Sequence, residues 1–467
     1  MFAADCHALI GDSSGAGQTL SLPAMSSPHP PSVHLVTLGC SKNQVDSEKV
    51  TSLLDGAGYI DAPDAESADV VMVNTCAFIE EARRESIDTI LELADVKRDD
   101  AKLIVLGCMA QRYETELVES LPEADAVIGL DRYSELVAQL DGMTDWQPIR
   151  IRPARTSHMD ILYQVKRPTP STPFAYVKVA EGCDKPCTFC AIPLFRGKQR
   201  SRSAVNIRDE IAQLTNSGVG EIVLVAQDLA SYGRDIDASG GLVELLRFVS
   251  DVEGLRRLRL YYLYPREIRP ALIHAMAKTP TIADYFDLSL QHSAEHLLRA
   301  MKRPGSGERH LEIIRQIREA APHAATRSSF IVGFPGETED DVEGLAEFLA
   351  EAQLDWAGFF PFSPEEGTPA ADLPGQIDDD EKAARLRYLS AIQDDITTSR
   401  NLNQRGRTLE VLVDQVEDGQ AVGRSYREAP EIDGVILLDR GQPGEWLTAE
   451  ISGGYGTDLS ATVVGEE

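Results

Sequence analysis

Three strand-length runs of β-branched and aliphatic residues each end on a cysteine: Val33-His-Leu-Val-Thr-Leu-Gly-Cys40, Val70-Val-Met-Val-Asn-Thr-Cys76 and Lys102-Leu-Ile-Val-Leu-Gly-Cys108. Helical patterns over 45–56 and 78–94 lie between them. The cysteines are 36 and 32 residues apart, which suits successive βαβ units of about 30 residues each. Such units make parallel strands. Parallel strands ending in Cys put three thiols at one carboxyl edge, where open α/β sheets take their ligands. A Rossmann-like parallel α/β domain is therefore expected over 33–145.

The remaining sequence needs more than one domain, since 467 residues exceed what one core usually organises. Residues 1–32 carry no Lys or Arg and are dominated from Gly11 by Gly, Ser, Ala and Pro, so they read as a disordered tail. Neither the basic start nor the sustained apolar segment of a secretory signal is present there. Residues 11–19 superficially resemble a phosphate loop, but the glycine spacing is wrong and Gln18 stands where Lys is required. Residues 146–173, with Pro153, Pro168, Pro170 and Pro173, read as a linker.

From 174 to 395, strands expected at 175–180, 221–226, 255–263, 285–290, 325–332 and 356–362 alternate with helices such as 203–215, 307–320 and 337–351. Six β/α repeats imply a parallel sheet curled into a partial, TIM-like (β/α)6 barrel with its chemistry at the carboxyl ends of the strands. After a helical stretch at 379–401 the period changes to two. Short strands at 408–414, 421–427, 434–439 and 446–452 predict a small antiparallel, OB-like barrel, with the terminal domain placed at 396–467.

The segment Glu181-Gly-Cys-Asp-Lys-Pro-Cys-Thr-Phe-Cys190 follows the first of the six strands directly. Cys183, Cys187 and Cys190, spaced C-x3-C-x2-C, can hold three irons of a four-iron–four-sulfur cluster and leave the fourth open. An open iron can chelate the amino and carboxylate groups of S-adenosylmethionine, and a reduced cluster can then generate a deoxyadenosyl radical. A structural zinc site is the alternative. Closed zinc sites want four ligands, and no further Cys or His lies close by in sequence.

The cysteine loop on a six-repeat barrel resembles the radical S-adenosylmethionine superfamily. The chain from about 33 to 464 resembles the methylthiotransferase family within it: a three-cysteine amino-terminal domain, a radical domain and a terminal TRAM barrel. The resemblance implies that Cys40, Cys76 and Cys108 hold a second, auxiliary four-iron–four-sulfur cluster. It also implies that one S-adenosylmethionine methylates sulfur on that cluster, while another is cleaved at the Cys183/Cys187/Cys190 cluster to activate a substrate C–H bond. Cys6 matches no motif and has no assigned role.

Weaker segments remain open. Arg196-Gly-Lys-Gln-Arg-Ser-Arg202 places four basic residues in seven just past the cysteine loop, and reads either as a site for cofactor carboxylates or an acidic substrate group, or as a solvated, structural loop. Gln227, Asp228, Gly333 and Gly336 lie at strand ends where the superfamily contacts S-adenosylmethionine; the glycines equally suit a turn. His292, in Ser289-Leu-Gln-His-Ser293, reads as a hydrogen-bonded structural histidine rather than a cavity-facing one.

Within the family, Leu38-Gly-Cys-Ser-Lys-Asn-Gln-Val-Asp-Ser-Glu48 and Gly182-Cys-Asp-Lys-Pro-Cys-Thr-Phe-Cys-Ala-Ile-Pro193 are similar to the branch that modifies an aspartate β-carbon of ribosomal protein twelve of the small subunit, rather than the branch that modifies a tRNA adenosine. Charge agrees. With 45 Lys+Arg and 75 Asp+Glu the chain carries −30, which opposes broad binding to nucleic acid or an anionic membrane. Over 400–467, six Arg and no Lys against thirteen acids leave −7, where a tRNA-gripping barrel should be basic. The implied partners are thus a basic ribosomal protein, free or on its subunit, a reductant and a sulfur source, with no direct tRNA binding and no membrane. Iron–sulfur ligation and only seven cysteines imply a reducing cytoplasm. A zinc-bearing, non-catalytic translation factor is the competing class.

Overall fold

The computed structural model describes residues 30–141 and 162–465. The expected tail up to residue 29, with Cys6, and the linker residues 146–161 lie outside the described residues.

The first domain is a five-stranded, all-parallel sheet in the order β2-β1-β3-β4-β5, formed by β1 (Ser32–Thr37), β2 (Ile60–Asp61), β3 (Val70–Thr75), β4 (Lys102–Leu106) and β5 (Ala126–Gly129). Every residue of β3 is buried, as a central strand covered on both faces requires. Ser32, assigned to the tail on composition, instead opens β1, where its N–H donates to Asp69 Oδ2 at 2.8 Å. Register keeps the carboxyl ends flush, with Thr37 opposite Asn74 and Asn74 opposite Leu106. Cys40 thus caps α1 (Ser41–Gly56), Cys76 directly follows β3 ahead of α2 (Glu80–Val96), and Cys108 lies in the first turn of α3 (Gly107–Arg112).

The second domain follows the expected repeat. Strands β6 (Phe174–Lys178), β9 (Glu221–Val225) and β10 (Arg257–Leu260) form one parallel triplet. Strands β11 (Tyr285–Gln291), β12 (Ala325–Val332) and β13 (Trp356–Pro361) form another. Parallel bridges Leu258–Ile282 and Leu263–Leu288 join the triplets into one open arc. The helix Ala204–Asn216 begins where the sequence places it, with Ser203 accepting from the Asn206 N–H at 3.2 Å. Apolar helix faces and the outer strand faces make the main core, including Ile207, Ile211, Leu224, Leu258 and Leu345. The inner faces contribute Tyr176, Val223, Val225, Tyr261 and Tyr285, packed with Val45 from α1 above and Ala429 from the terminal domain below. Both neighbouring domains therefore plug the barrel lumen. Between β6 and β9 a short antiparallel pair, β7 (Ala180–Glu181) and β8 (Arg200–Ser201), closes the neck of the cysteine loop.

The helix Asp379–Leu402 runs unbroken through residue 396, so the expected domain boundary there falls inside it. Its Thr397 and Gln393 bond the carbonyls of Asp355 and Leu354, which ties this stretch to the second domain. The terminal barrel starts at β14 (Thr408–Glu417) and continues through β15 (Gln420–Arg424), β16 (Ile436–Leu438), β17 (Trp446–Tyr455) and β18 (Asp458–Val463), closed in the order β14-β15-β16-β18-β17. It is antiparallel apart from β16 and β18, which pair in parallel where the barrel closes. Its base docks on the second domain through Glu221, buried among Arg257, Arg259 and Arg424. Burial opposes that carboxylate's charge, but the three guanidinium groups prevail and hold its pKa near 2.

Candidate functional site

Two Leu-Gly-Cys turns shape the carboxyl edge of the first sheet. Gly39 has φ +88°, and a Cβ there would stand 2.7 Å from Cys76 Cβ and 2.9 Å from its sulfur. Gly107 has φ +96°, and a Cβ would stand 2.3 Å from Asn74 Oδ1. Both positions demand glycine, because the backbone is left-handed and the next strand end is already in contact. Asn43 fastens the edge, donating from Nδ2 to the Leu38 carbonyl at 2.9 Å and the Thr75 carbonyl at 3.0 Å. Cys76 and Cys108 are buried and Cys40 half-buried.

The radical-type loop stands at the carboxyl end of the β6 region, as expected. Gly182 lets the chain pass so close to Lys198 that a Cβ would lie 2.2 Å from its carbonyl oxygen, and the Cys183 N–H donates to the Gly197 carbonyl at 3.1 Å. Thr188 anchors the middle of the loop, with Oγ1 donating to Ala300 at 2.9 Å and N–H to Met301 at 3.2 Å. Cys183, Cys187 and Cys190 are all half-buried.

A buried ionic network joins the two thiol groups. Arg196 donates from Nε and Nη2 toward Cys108 Sγ at 3.2 and 3.0 Å, from Nη2 to Asn43 Oδ1 at 2.6 Å, and from Nη1 to Glu181 Oε1 at 2.7 Å. Glu181, two residues before Cys183, also pairs with Lys178 at 2.6 Å and accepts from Gln227 Nε2 at 2.9 Å. Lys178 and Arg196 both pair with Asp46 of α1. Two cations and two carboxylates balance, and the Arg196 N–H groups that reach no carboxylate are taken up by Asn43 Oδ1 and Cys108 Sγ.

The thiols titrate accordingly. Burial opposes ionisation of Cys40, but Lys42 and Arg196 outweigh it and its pKa falls below the ordinary value. Burial pushes Cys76 up to about 11 and, against the pull of Arg196, Cys108 up to about 12. Cys183 and Cys190 are pushed by burial to about 11 and about 12. Such thiols ionise when a metal displaces the proton.

The weaker sequence candidates divide. The basic run splits: Arg196 turns inward to Cys108 and Glu181, and Arg202 to Glu210 at 2.5 Å, so both brace the interior as in a structural loop, while Lys198 between them is exposed. Gln227 and Asp228 do reach the cysteine loop. Gln227 Oε1 and Asp228 Oδ1 are buried with no hydrogen-bond partner among the described residues, and Asp228 lies 3.3 Å from Lys185 of the loop. Gly333 takes φ +75°, and Phe334 packs against Phe362 in a cluster that includes Phe189, so this segment is a turn supporting the loop from beneath. His292 is structural: Nδ1 accepts from the N–H groups of Ser293 and Ala294 at 2.9 and 3.0 Å, which leaves Nε2 to donate to Glu337 at 3.2 Å. The roles of Asn43, Asp46, Lys178 and Glu181 were not apparent in the sequence. The repeated Leu-Gly-Cys turns were the available signal.

Among the described residues no three His, Cys, Asp or Glu side chains converge closely enough to hold a single metal ion. A four-iron cluster makes no such demand, since each thiolate takes a different iron. The two glycine cradles, the cation on Cys108 and the orphaned oxygens of Gln227 and Asp228 suit two sulfur-ligated groups with a polar ligand beside the second.

Comparison with known proteins gives the class of the chain. A family model described as the radical SAM superfamily matches residues 177–349, one described as the uncharacterized protein family UPF0004 matches 32–129, and a TRAM domain model matches 406–464. Among solved structures, the radical S-adenosylmethionine methyltransferase TsrM from Kitasatospora setae, with cobalamin and a [4Fe-4S] cluster bound, superposes with a TM-score of 0.52 at 17% identity, covering 73% of this chain and 74% of that one. The fold is thus that of a radical S-adenosylmethionine enzyme. Curated relatives are closer. The ribosomal protein uS12 methylthiotransferase RimO of Saccharopolyspora erythraea is 42% identical over 93% of this chain and 95% of its own length, and that of Moorella thermoacetica 43% identical over 90% and 96%. The chain belongs to the ribosomal protein uS12 methylthiotransferase family.

Proposed function

We propose that this chain adds a methylthio group to the β-carbon of an aspartate in ribosomal protein uS12, using two four-iron–four-sulfur clusters and S-adenosylmethionine in the cytoplasm. Cys183, Cys187 and Cys190 hold one cluster; Cys40, Cys76 and Cys108 hold the other. When bound, these groups supply a deoxyadenosyl radical that removes hydrogen from an unactivated carbon and the sulfur that replaces it. The observation that carries the reading is the Arg196 bridge, which puts an amino-terminal thiol and the neck of the radical loop on one side chain.

The protein's own groups do the rest. Glu181, Lys178 and Asp46 fix the guanidinium of Arg196, so its N–H groups present positive charge to sulfur at Cys108 without reorganising. Gln227 Oε1 and Asp228 Oδ1 offer acceptors to a bound S-adenosylmethionine beside the loop. Salt links between Arg112 and Glu365 at 2.7 Å and between Lys49 and Glu210 at 2.9 Å hold the first domain over the barrel mouth, which helps keep water from a reactive radical.

The terminal barrel supports a protein substrate. Arg424 and Arg427 are buried in pairs with Glu221 and Asp355, so two of the few cations in the barrel sequence are withdrawn from its surface. That leaves an acidic face suited to a basic protein and repellent to an RNA backbone. Mass spectrometry of uS12 and of digested tRNA from a strain lacking this chain tests the reading. Unmodified uS12 with normal tRNA is expected; normal uS12 with methylthio-adenosine missing from tRNA would refute it. The reaction also requires an electron donor and a sulfur donor.

A further inference from the structure

The open arc of the second domain has two edge strands, β6 and β13, and they are finished differently. The Val179 N–H donates to the Val225 carbonyl, so the odd-numbered peptide groups of the β6 segment face β9 and the even-numbered ones face away. Those outward carbonyls are taken. Phe174 accepts from Thr172 Oγ1 at 2.8 Å, Tyr176 from Arg167, and Lys178 from Arg202 at 2.5 Å. Side chains close this edge.

The β13 edge is open. Beyond Asp355, whose N–H still bonds Thr326, the strand alternates regularly, and the Phe362 N–H donates to the Val332 carbonyl. The peptide groups of Gly358 and Phe360 therefore face β12, and those of Ala357 and Phe359 face away. Among the described residues nothing bonds the N–H or carbonyl of Ala357 or Phe359. Edge strands are normally blunted by charged side chains. Trp356-Ala-Gly-Phe-Phe-Pro361 carries no charge, and only Pro361 interrupts its outward row of N–H groups.

The open edge borders the site. Phe359 stacks on Phe330 of the main core with ring centres 5.6 Å apart, so strand alternation turns Gly358 and Phe360 toward the lumen, where Phe360 stays 45% exposed. Just past the strand, Phe362 packs in the cluster against which Phe189 of the cysteine loop lies, and the Ala370 N–H donates to the Thr188 carbonyl at 2.9 Å. At the same end the Glu80 N–H reaches Ser363 Oγ at 3.3 Å, and the side chains of Glu80, Glu81 and Glu366 are exposed. An uncharged edge beneath a rim of carboxylates suits an extended segment of a basic protein and opposes a phosphate backbone.

We propose that the uS12 segment carrying the modified aspartate adds to β13 as a further strand. It bonds the outward N–H and carbonyl groups of Ala357 and Phe359 and directs alternate side chains, the aspartate among them, into the lumen. The inference rests on the uS12 reading above.

The test follows amide hydrogen exchange, resolved to single residues, in iron-loaded enzyme alone and with saturating uS12. The Ala357 and Phe359 amides are expected to exchange fast in the enzyme alone, at every enzyme concentration, and to slow when uS12 is added. The Gly358 and Phe360 amides, already bonded to β12, should be slow throughout. Ala357→Pro removes one outward N–H and should weaken uS12 binding about five- to a hundredfold, the range for leaving one buried backbone partner unpaired. If Ala357→Pro does not fold, exchange in the wild type decides alone. Slow exchange at Ala357 and Phe359 in the enzyme alone overturns the proposal, because this chain would then cover its own edge. Slowing that appears only at high enzyme concentration also overturns it and assigns the edge to a second copy. So does uS12 that binds without slowing these amides, tRNA that slows them in its place, or a folded, iron-loaded Ala357→Pro enzyme that binds uS12 as the wild type does. A wild-type enzyme that leaves uS12 both unbound and unmodified overturns the functional reading itself.

Discussion

Arg196 Nη2 lies 3.0 Å from Cys108 Sγ while Nη1 of the same side chain lies 2.7 Å from Glu181 Oε1. One guanidinium thus links a thiol of the first domain to the neck of the cysteine loop in the second, and both ends are buried. Removing it strands Glu181 and Asp46 with Lys178 as their remaining cation. Breaking a buried ion pair by deleting one partner typically costs about 3–5 kcal/mol. Arg196→Met should therefore lower the apo-protein's stability by that order in chemical denaturation, while Arg196→Lys loses less because it keeps the charge. An Arg196→Met protein as stable as the wild type would mean that the network contributes nothing.

The glycine at each Leu-Gly-Cys turn makes a separate prediction. Gly39→Ala puts a Cβ 2.7 Å from Cys76 Cβ in a backbone at φ +88°, adding roughly 1–2 kcal/mol of left-handed strain to the clash. The displaced edge should lose its cluster while the Cys183 loop keeps its own. Iron per chain should fall to about half that of a two-cluster protein, measured after anaerobic reconstitution with iron and sulfide. Full iron content in Gly39→Ala would show that the edge tolerates the shift.

The two cysteine groups should separate by function. Cys187→Ala should abolish reductive cleavage of S-adenosylmethionine, followed as deoxyadenosine released. Cys76→Ala should retain cleavage and yield no methylthiolated product. A Cys76→Ala enzyme with full product yield would refute the auxiliary assignment.

His310, far from either thiol group in sequence, gives a pH dependence. Burial, reinforced by Arg303 and Arg309, lowers its pKa to about 4, against about 6.5 in an unfolded chain. The unfolded state therefore takes up a proton before the folded state does, and stability falls as pH drops from about 6.5 toward 4, by up to about 3 kcal/mol. His310→Asn should flatten that part of the stability profile, measured as the denaturation midpoint against pH. An unchanged slope would assign the acid sensitivity to other groups.

The sequence displayed the architecture because its signals are local. Apolar runs ending in Cys40, Cys76 and Cys108, the tight Cys183–Cys190 loop and the switch to period two near residue 408 each depend on neighbours in the chain. What stayed hidden depends on distant partners. The run from Arg196 to Arg202 left a carboxylate site and a solvated, structural loop both open; only contact with Asp46 and Cys108, 150 and 88 residues away, turns Arg196 inward. Likewise, the contact of Lys42 with the Tyr262 ring is set by the fold and has no local signal. The parallel pairing of β16 with β18 was equally out of reach, since strand period gives no direction.

The most direct measurement is the fate of labelled methyl groups. Reconstituted protein is incubated under reducing, anaerobic conditions with methyl-labelled S-adenosylmethionine, a sulfide source and a mixture of uS12 and tRNA. The account predicts label as a methylthio group on one aspartate of uS12, with deoxyadenosine formed alongside and none on tRNA. Label on tRNA adenosine with uS12 unmodified would contradict it.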